Sequence, residues 1–201
     1  ARVQGDLVVE IPAASLFESR QVILSASAGG ELEVLPAVRK KYLELPPPSQ
    51  DDSRSDVERL RSALGPFEIG IDLVRALPDR LRKAGFKGTA VLADNELIEF
   101  EAGDTVARSY GVAFDVGTTT MVGVLVDLKT GLDIAVEARM NPQTSFGDDV
   151  ISRIRKCREE PKGLLQLQRV VLTAINEMIG ELARRAKVDS GSVYEVVFAG
   201  N

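Results

Sequence analysis

From Tyr110 onward the order of apolar and polar residues leaves few folds open. "GVAFDV", "TMVGVLVDL" and "DIAVEARM" are three strand-like runs joined by short loops, which predicts an antiparallel meander. A helix is expected next over about 148–158, with Val150, Ile151, Ile154 and Cys157 on one side. A longer one follows over about 164–187, where Leu167, Val171, Ala174, Met178 and Leu182 recur at steps of three and four. The closing "VYEVVFAGN" reads as a strand again. The order is β-β-β-α-α-β, an α/β arrangement in which the first and fourth strands become parallel neighbours.

The upstream half has a different texture. "DLVVEIP" reads as a strand, and "ASAGG" at 26–30 as a flexible linker. Two extended pieces flank Pro36, and "PPPSQDDSRSD" interrupts them. Ser55 and Glu58 fit the capping pattern S-x-x-E, with Val57, Leu60 and Leu64 on one helical face before Gly65-Pro66. A second helix is expected over 72–84, with Pro78 in the first turn of its last part and Gly85 just past its end. "GTAVLADNELIEFEAGD" reads as a hairpin turning at Asp94-Asn95. The expected organisation is therefore a strand and linker over 1–34, a small middle α/β domain over 35–106, and a third unit over 107–201.

Composition narrows the chemistry. The chain has 201 residues, a formal net charge of −5, and Lys and Arg scattered among acids, which argues against nucleic acid as a partner. Asp115 and Asp127 interrupt its most apolar region, so no membrane span is expected. "ARVQGDLVVE" carries acids where a signal peptide has its apolar core, and a cytoplasmic location is the default. There is no His, which removes Ser–His–Asp catalysis and His-ligated zinc, and the one Cys removes disulfides and all-Cys clusters within the chain. Carboxylates, hydroxyls, backbone donors and a recruited metal ion remain.

The loop in "FDVGTTTMVG" gathers such groups. Gly117 allows a sharp turn and close approach of the backbone, and Thr118, Thr119 and Thr120 present N–H and hydroxyl donors to phosphate oxygens. Asp115 ends the preceding strand, where it can hold Mg²⁺ through water or orient an attacking water. An ordinary tight hairpin with a capping acid is the plain alternative. The meander, the helices and the returning strand favour the phosphate loop, because together they form the opening half of a ribonuclease-H-like α/β domain.

"FDVGTTT" resembles the first phosphate loop of the superfamily of actin, sugar kinases and heat-shock chaperone ATPases. "AFDVGTTTMVGVLVDLKTG" followed by "ARMNPQTSFGDDVISRI" is similar, more narrowly, to reductive activators of corrinoid proteins. "ARVQGDLVVEIP" resembles the closing strand of a plant-type ferredoxin domain. The resemblance implies a longer protein, in which a 2Fe–2S domain precedes this chain and the rest of the ATPase-like domain follows it. It implies ATP and Mg²⁺ as cofactors, a corrinoid protein as partner, and a homodimer. Such a protein passes an electron from its cluster to a Co(II) corrinoid, with ATP driving the step to Co(I). Asp115 would handle Mg²⁺ and water, Gly117 and Thr118–Thr120 the phosphates, and Asn201 would open a further cleft element on the same rim. The second phosphate loop and the adenosine segment of the superfamily are missing from the sequence, so this chain alone is expected to bind ATP weakly or not at all.

Two rivals stay open: a phosphotransferase of sugar-kinase or acetate-kinase type, and a non-enzymatic docking or dimerisation module. Of the remaining residues, Asp148 and Asp149 read as helix-dipole acids or cleft carboxylates, and Cys157 as a buried thiol. Arg139 and Arg153 read as solvated ion pairs, and "VRKKY" at 38–42 as the solvent face of a strand.

Overall fold

The computed structural model describes residues 35–200, and the strand and linker expected over 1–34, with Asn201, lie outside them. Strand β1 (Val38–Glu44) leads through a turn to α1 (Asp56–Leu64), a short β2 (Glu68–Ile69) and α2 (Ile71–Lys83). The hairpin of β3 (Lys87–Ala93) and β4 (Glu96–Ala102) follows, turning at Asp94-Asn95 as the sequence predicts, with Asp94 at φ 50°. These strands form a sheet in the order β1-β3-β4-β2, antiparallel except where β2 joins β4.

Its core forms because the helices bring leucines to one face. Leu60 of α1 and Leu77 and Leu81 of α2 are fully buried against Ala90, Leu97 and Phe100 of the hairpin. The α1 start is capped as expected: the Ser55 hydroxyl accepts from the Glu58 N–H, and the Glu58 carboxylate accepts from the Ser55 N–H at 2.8 Å. The α2 end closes through Gly85 N–H to the Arg82 carbonyl and Phe86 N–H to the Leu81 carbonyl, the paired bonds of a Schellman turn. Pro78 departs from expectation. It lies inside one continuous helix rather than opening a new part. The buried stripe Leu73, Leu77 and Leu81 runs through it and outweighs the lost N–H.

The second sheet is the predicted meander. β5 (Tyr110–Val116), β6 (Thr120–Asp127) and β7 (Asp133–Met140) pair antiparallel, and β8 (Val193–Gly200) joins β5 in parallel, giving β7-β6-β5-β8. Between β7 and β8 lie a 3₁₀ turn (Pro142–Phe146), α3 (Val150–Glu159) and α4 (Gly163–Ala186). The long helix α4 covers one sheet face, setting Ala174, Met178 and Leu182 on Phe114, Met121 and Leu125. Phe114 stacks on Phe198 with ring centroids 5.4 Å apart, across the β5–β8 pairing. On the opposite face Ala113, Asp115 and Val197 are exposed. The fold is thus a small α/β unit followed by part of a ribonuclease-H-like domain. No helix among the described residues is long and apolar enough to cross a membrane.

Candidate functional site

The Gly-Thr loop links β5 to β6 at the carboxyl end of β5, where β8 also ends. Asp115 pairs with Val122 on one side and Ala199 on the other, Val116 pairs with Gly200, and the Asp115 side chain is exposed. Ligands of open α/β sheets bind at such carboxyl-end rims. Thr118 and Thr119 are exposed, and their N–H groups have no acceptor among the described residues. Gly117 is required for space, not for a left-handed backbone: its φ is not positive, but a Cβ there would lie 2.8 Å from the Thr120 carbonyl oxygen.

The back of the loop is held by the segment after β7. The Asn141 side-chain amide donates to the Gly117 carbonyl at 2.8 Å, and the Asn141 backbone N–H donates to the Thr119 carbonyl at 2.8 Å. Arg153 donates through Nη2 to the Thr118 carbonyl at 2.6 Å, through Nε to the Gly147 carbonyl at 3.0 Å, and through Nη1 to Gln143 Oε1 at 3.3 Å. Gln143 in turn donates from Nε2 to the Leu167 carbonyl of α4 at 3.1 Å. Gly147 lets this segment fold tightly onto α3, since a Cβ there would meet Ser152 Cβ at 2.7 Å.

Two expectations fail here for one reason. Arg153 is a buried residue, not a solvated ion pair. The apolar side expected of α3 is instead open, with Val150, Ile151 and Ile154 exposed and Cys157 only partly buried. A carbonyl-lined loop needs a donor behind it, and α3 turns its guanidinium there rather than its aliphatic residues. Arg139 does form surface ion pairs, with Glu137 and Glu177. Asp149 caps α3, accepting from the Ser152 N–H at 2.7 Å, and that bond holds its carboxyl below the usual carboxylate range. Asp148 is exposed beside it. The bracing residues Asn141, Gln143 and Arg153 are not among the sequence-expected site residues, although the run "NPQTSFGDDVISRI" that contains them carries part of the narrower resemblance.

The donors present suit phosphate oxygens: exposed N–H groups and hydroxyls, with no carboxylate in the loop itself. No group of three or more acids or thiols among the described residues is arranged to hold a metal ion. Asp115 is therefore a one-point ligand at most, which fits Mg²⁺ held through its water shell and by phosphate.

A meander, a braced Gly-Thr loop and a parallel fourth strand define part of a ribonuclease-H-like domain, here preceded by a small α/β unit. Residues 28–107 match the RACo linker region and residues 110–201 match the RACo middle region, and the chain belongs to these families. A solved structure of a "Reductive activator for corrinoid,iron-sulfur protein" aligns with a TM-score of 0.71 at 35% sequence identity, over 86% of this chain and 29% of that one. The corrinoid activation enzyme RamQ of Eubacterium limosum is 33% identical over 112 residues, which is 55% of this chain and 19% of that protein. The chain thus spans under a third of the length of either relative.

Proposed function

We propose that this chain is the linker and the first part of the ATP-binding domain of a reductive activator that restores Co(I) in a corrinoid protein. The likeness to a solved reductive activator, over most of this chain, carries the reading. In the longer protein a 2Fe–2S cluster, oxidised by one electron in turn, would supply the electron that takes Co(II) to Co(I). The single Cys here means that the cluster's ligands belong to another segment. ATP with Mg²⁺, where bound, would supply the free energy for that transfer through a change in the activator–partner complex. Within this chain Thr118 and Thr119 bind phosphate oxygens, with Gly117 and Thr120 framing the turn. Asp115 would hold Mg²⁺ through its water shell at the same rim, and Asn201 is a further candidate contact for the nucleotide.

Titration calorimetry tests the reading directly. The longer gene product should bind Mg–ATP, whereas residues 1–201 alone, which span under a third of the length of either relative, should bind it weakly or not at all. Micromolar affinity in the isolated chain would overturn the half-site. Failure of the longer product to bind ATP, or to raise the Co(I) absorption of any corrinoid protein, would overturn the assignment.

A further inference from the structure

We propose that Asn141 and Arg153 are positioning residues that hold the Gly117–Thr119 loop open for the phosphate chain of a nucleoside triphosphate before it binds. The inference rests on the ATP-site reading above and adds the device that sets the loop's shape.

The connection between β5 and β6 has the length of the tightest hairpins but not their construction. Gly117 donates to the Thr120 carbonyl at 2.9 Å, as the first bond of a two-residue turn does. Such turns normally add the reverse bond and need positive φ at one or both central residues. Here neither Thr118 nor Thr119 has a positive φ, and Thr120 N–H does not donate to Gly117. Asn141 has taken that carbonyl instead. Its amide is locked at both ends, since Oδ1 accepts from the Gln143 N–H at 3.0 Å, and the residue is 1% exposed.

Peptide geometry turns this capture into aim. In a trans peptide the C=O and the following N–H point in opposite directions. Drawing the Gly117 and Thr118 carbonyls back toward Asn141 and Arg153 therefore turns the Thr118 and Thr119 N–H groups outward. Those are the two donors left without an acceptor. The protein's own hydrogen bonds from Asn141 and Arg153 turn these donors outward, so binding need not reorganise the loop.

Charge points the same way. All three hydrogen bonds of the Arg153 guanidinium go to uncharged oxygens. No carboxylate among the described residues lies within ion-pair distance of it. A buried cation without an acid is costly unless an anion comes near. Its field reaches the outward side of the loop through the peptide it polarises, and a polyphosphate placed there supplies the missing negative charge.

The test uses the longer gene product and three ligands: Mg–ATP, Mg–ADP and adenosine. Arg153→Met should weaken Mg–ATP at least about 10-fold and Mg–ADP less, while adenosine, which has no phosphate, binds as in the parent. Asn141→Leu should act likewise, because the freed Gly117 carbonyl lets the turn close. Equal loss for all three ligands, or no loss with native melting behaviour, overturns the proposal. Should Arg153→Met not fold, Arg153→Lys carries the test: it keeps the charge, loses the fork, and should lower ATP affinity several-fold with adenosine unchanged. A parent protein that binds no Mg–ATP sinks the ATP-site reading itself. A parent that binds it alongside variants that bind equally well sinks only the positioning role.

Discussion

The Thr120 carbonyl leaves no room for a methyl group on residue 117. Gly117→Ala must therefore push the turn apart, breaking the Gly117–Thr120 bond or displacing the loop from Asn141, at a cost of about 1–3 kcal/mol. Urea unfolding should show that loss in the isolated chain, together with reduced Mg–ATP affinity in the longer protein. An unchanged midpoint would mean that the turn is not held this tightly. The glycine and its threonines were legible in sequence, because small and hydroxyl residues between two apolar strands narrow the possibilities. Arg153 was not. Helical spacing put Val150, Ile151, Ile154 and Cys157 on one side of α3, and periodicity cannot tell a face that meets a core from one left open. Lys40 misleads in the same way. "VRKKY" alternates like a solvent-facing strand, yet the Lys40 side chain is 2% exposed and paired with Glu101.

Elements were more legible than individual side chains, because caps and stop signals act locally. The Ser55–Glu58 box, the Asp94-Asn95 turn and the α4 stripe all appear where sequence places them. One departure is α2, where tertiary burial of three leucines overrides the proline, and another is the two-residue β2, which no local pattern marks. What local patterns do not reveal is how thoroughly a strand is covered. β8 is an edge strand of its sheet, and Val196, Val197 and Phe198 are 41%, 64% and 55% exposed. An uncovered apolar edge is a template for pairing with another chain. Residues 1–201 on their own should associate in a concentration-dependent way, and Val197→Lys should suppress it with little change in thermal stability. Light scattering over a dilution series measures this. Equal association by parent and variant would place the contact elsewhere.

At the scale of the whole molecule the two sheets meet through a polar junction that no single stretch of sequence displays. Lys40 on β1 pairs with Glu101 at the end of β4 at 2.6 Å, and donates to the Arg108 carbonyl at 2.8 Å. Tyr194, at the start of β8, donates to Glu101 and accepts from Lys40 at 3.2 Å, while the Lys40 ammonium lies 4.9 Å from its ring centre. Beside it the Val38 N–H donates to Glu195 at 3.1 Å. Burial pushes the Glu101 carboxyl up, but hydrogen bonds from Lys40, Thr105 and Tyr194 outweigh it and leave it below the usual carboxylate range. Burial, and then the bond to Glu101, pushes the Tyr194 phenol above its ordinary value. The signs follow. Glu101's contribution is full above the ordinary carboxylate range and is lost as pH falls through the lowered folded value. Tyr194's is full below the ordinary phenol range and is lost as pH rises through the raised one. The junction should therefore be strongest across neutral pH and weaken at both ends. Glu101→Gln leaves Lys40 buried without its anion and should cost about 3–5 kcal/mol at neutral pH. Tyr194→Phe removes two bonds to charged groups, the one given to Glu101 and the one taken from Lys40, and should cost at least about 1.5–3 kcal/mol. Because both act through one network, the double variant should lose less than the two losses added together. Urea unfolding from pH 3 to 7 decides the matter: the parent should lose stability toward acid more steeply than Glu101→Gln. Parallel profiles would show that Glu101 does not hold the sheets together through its charge.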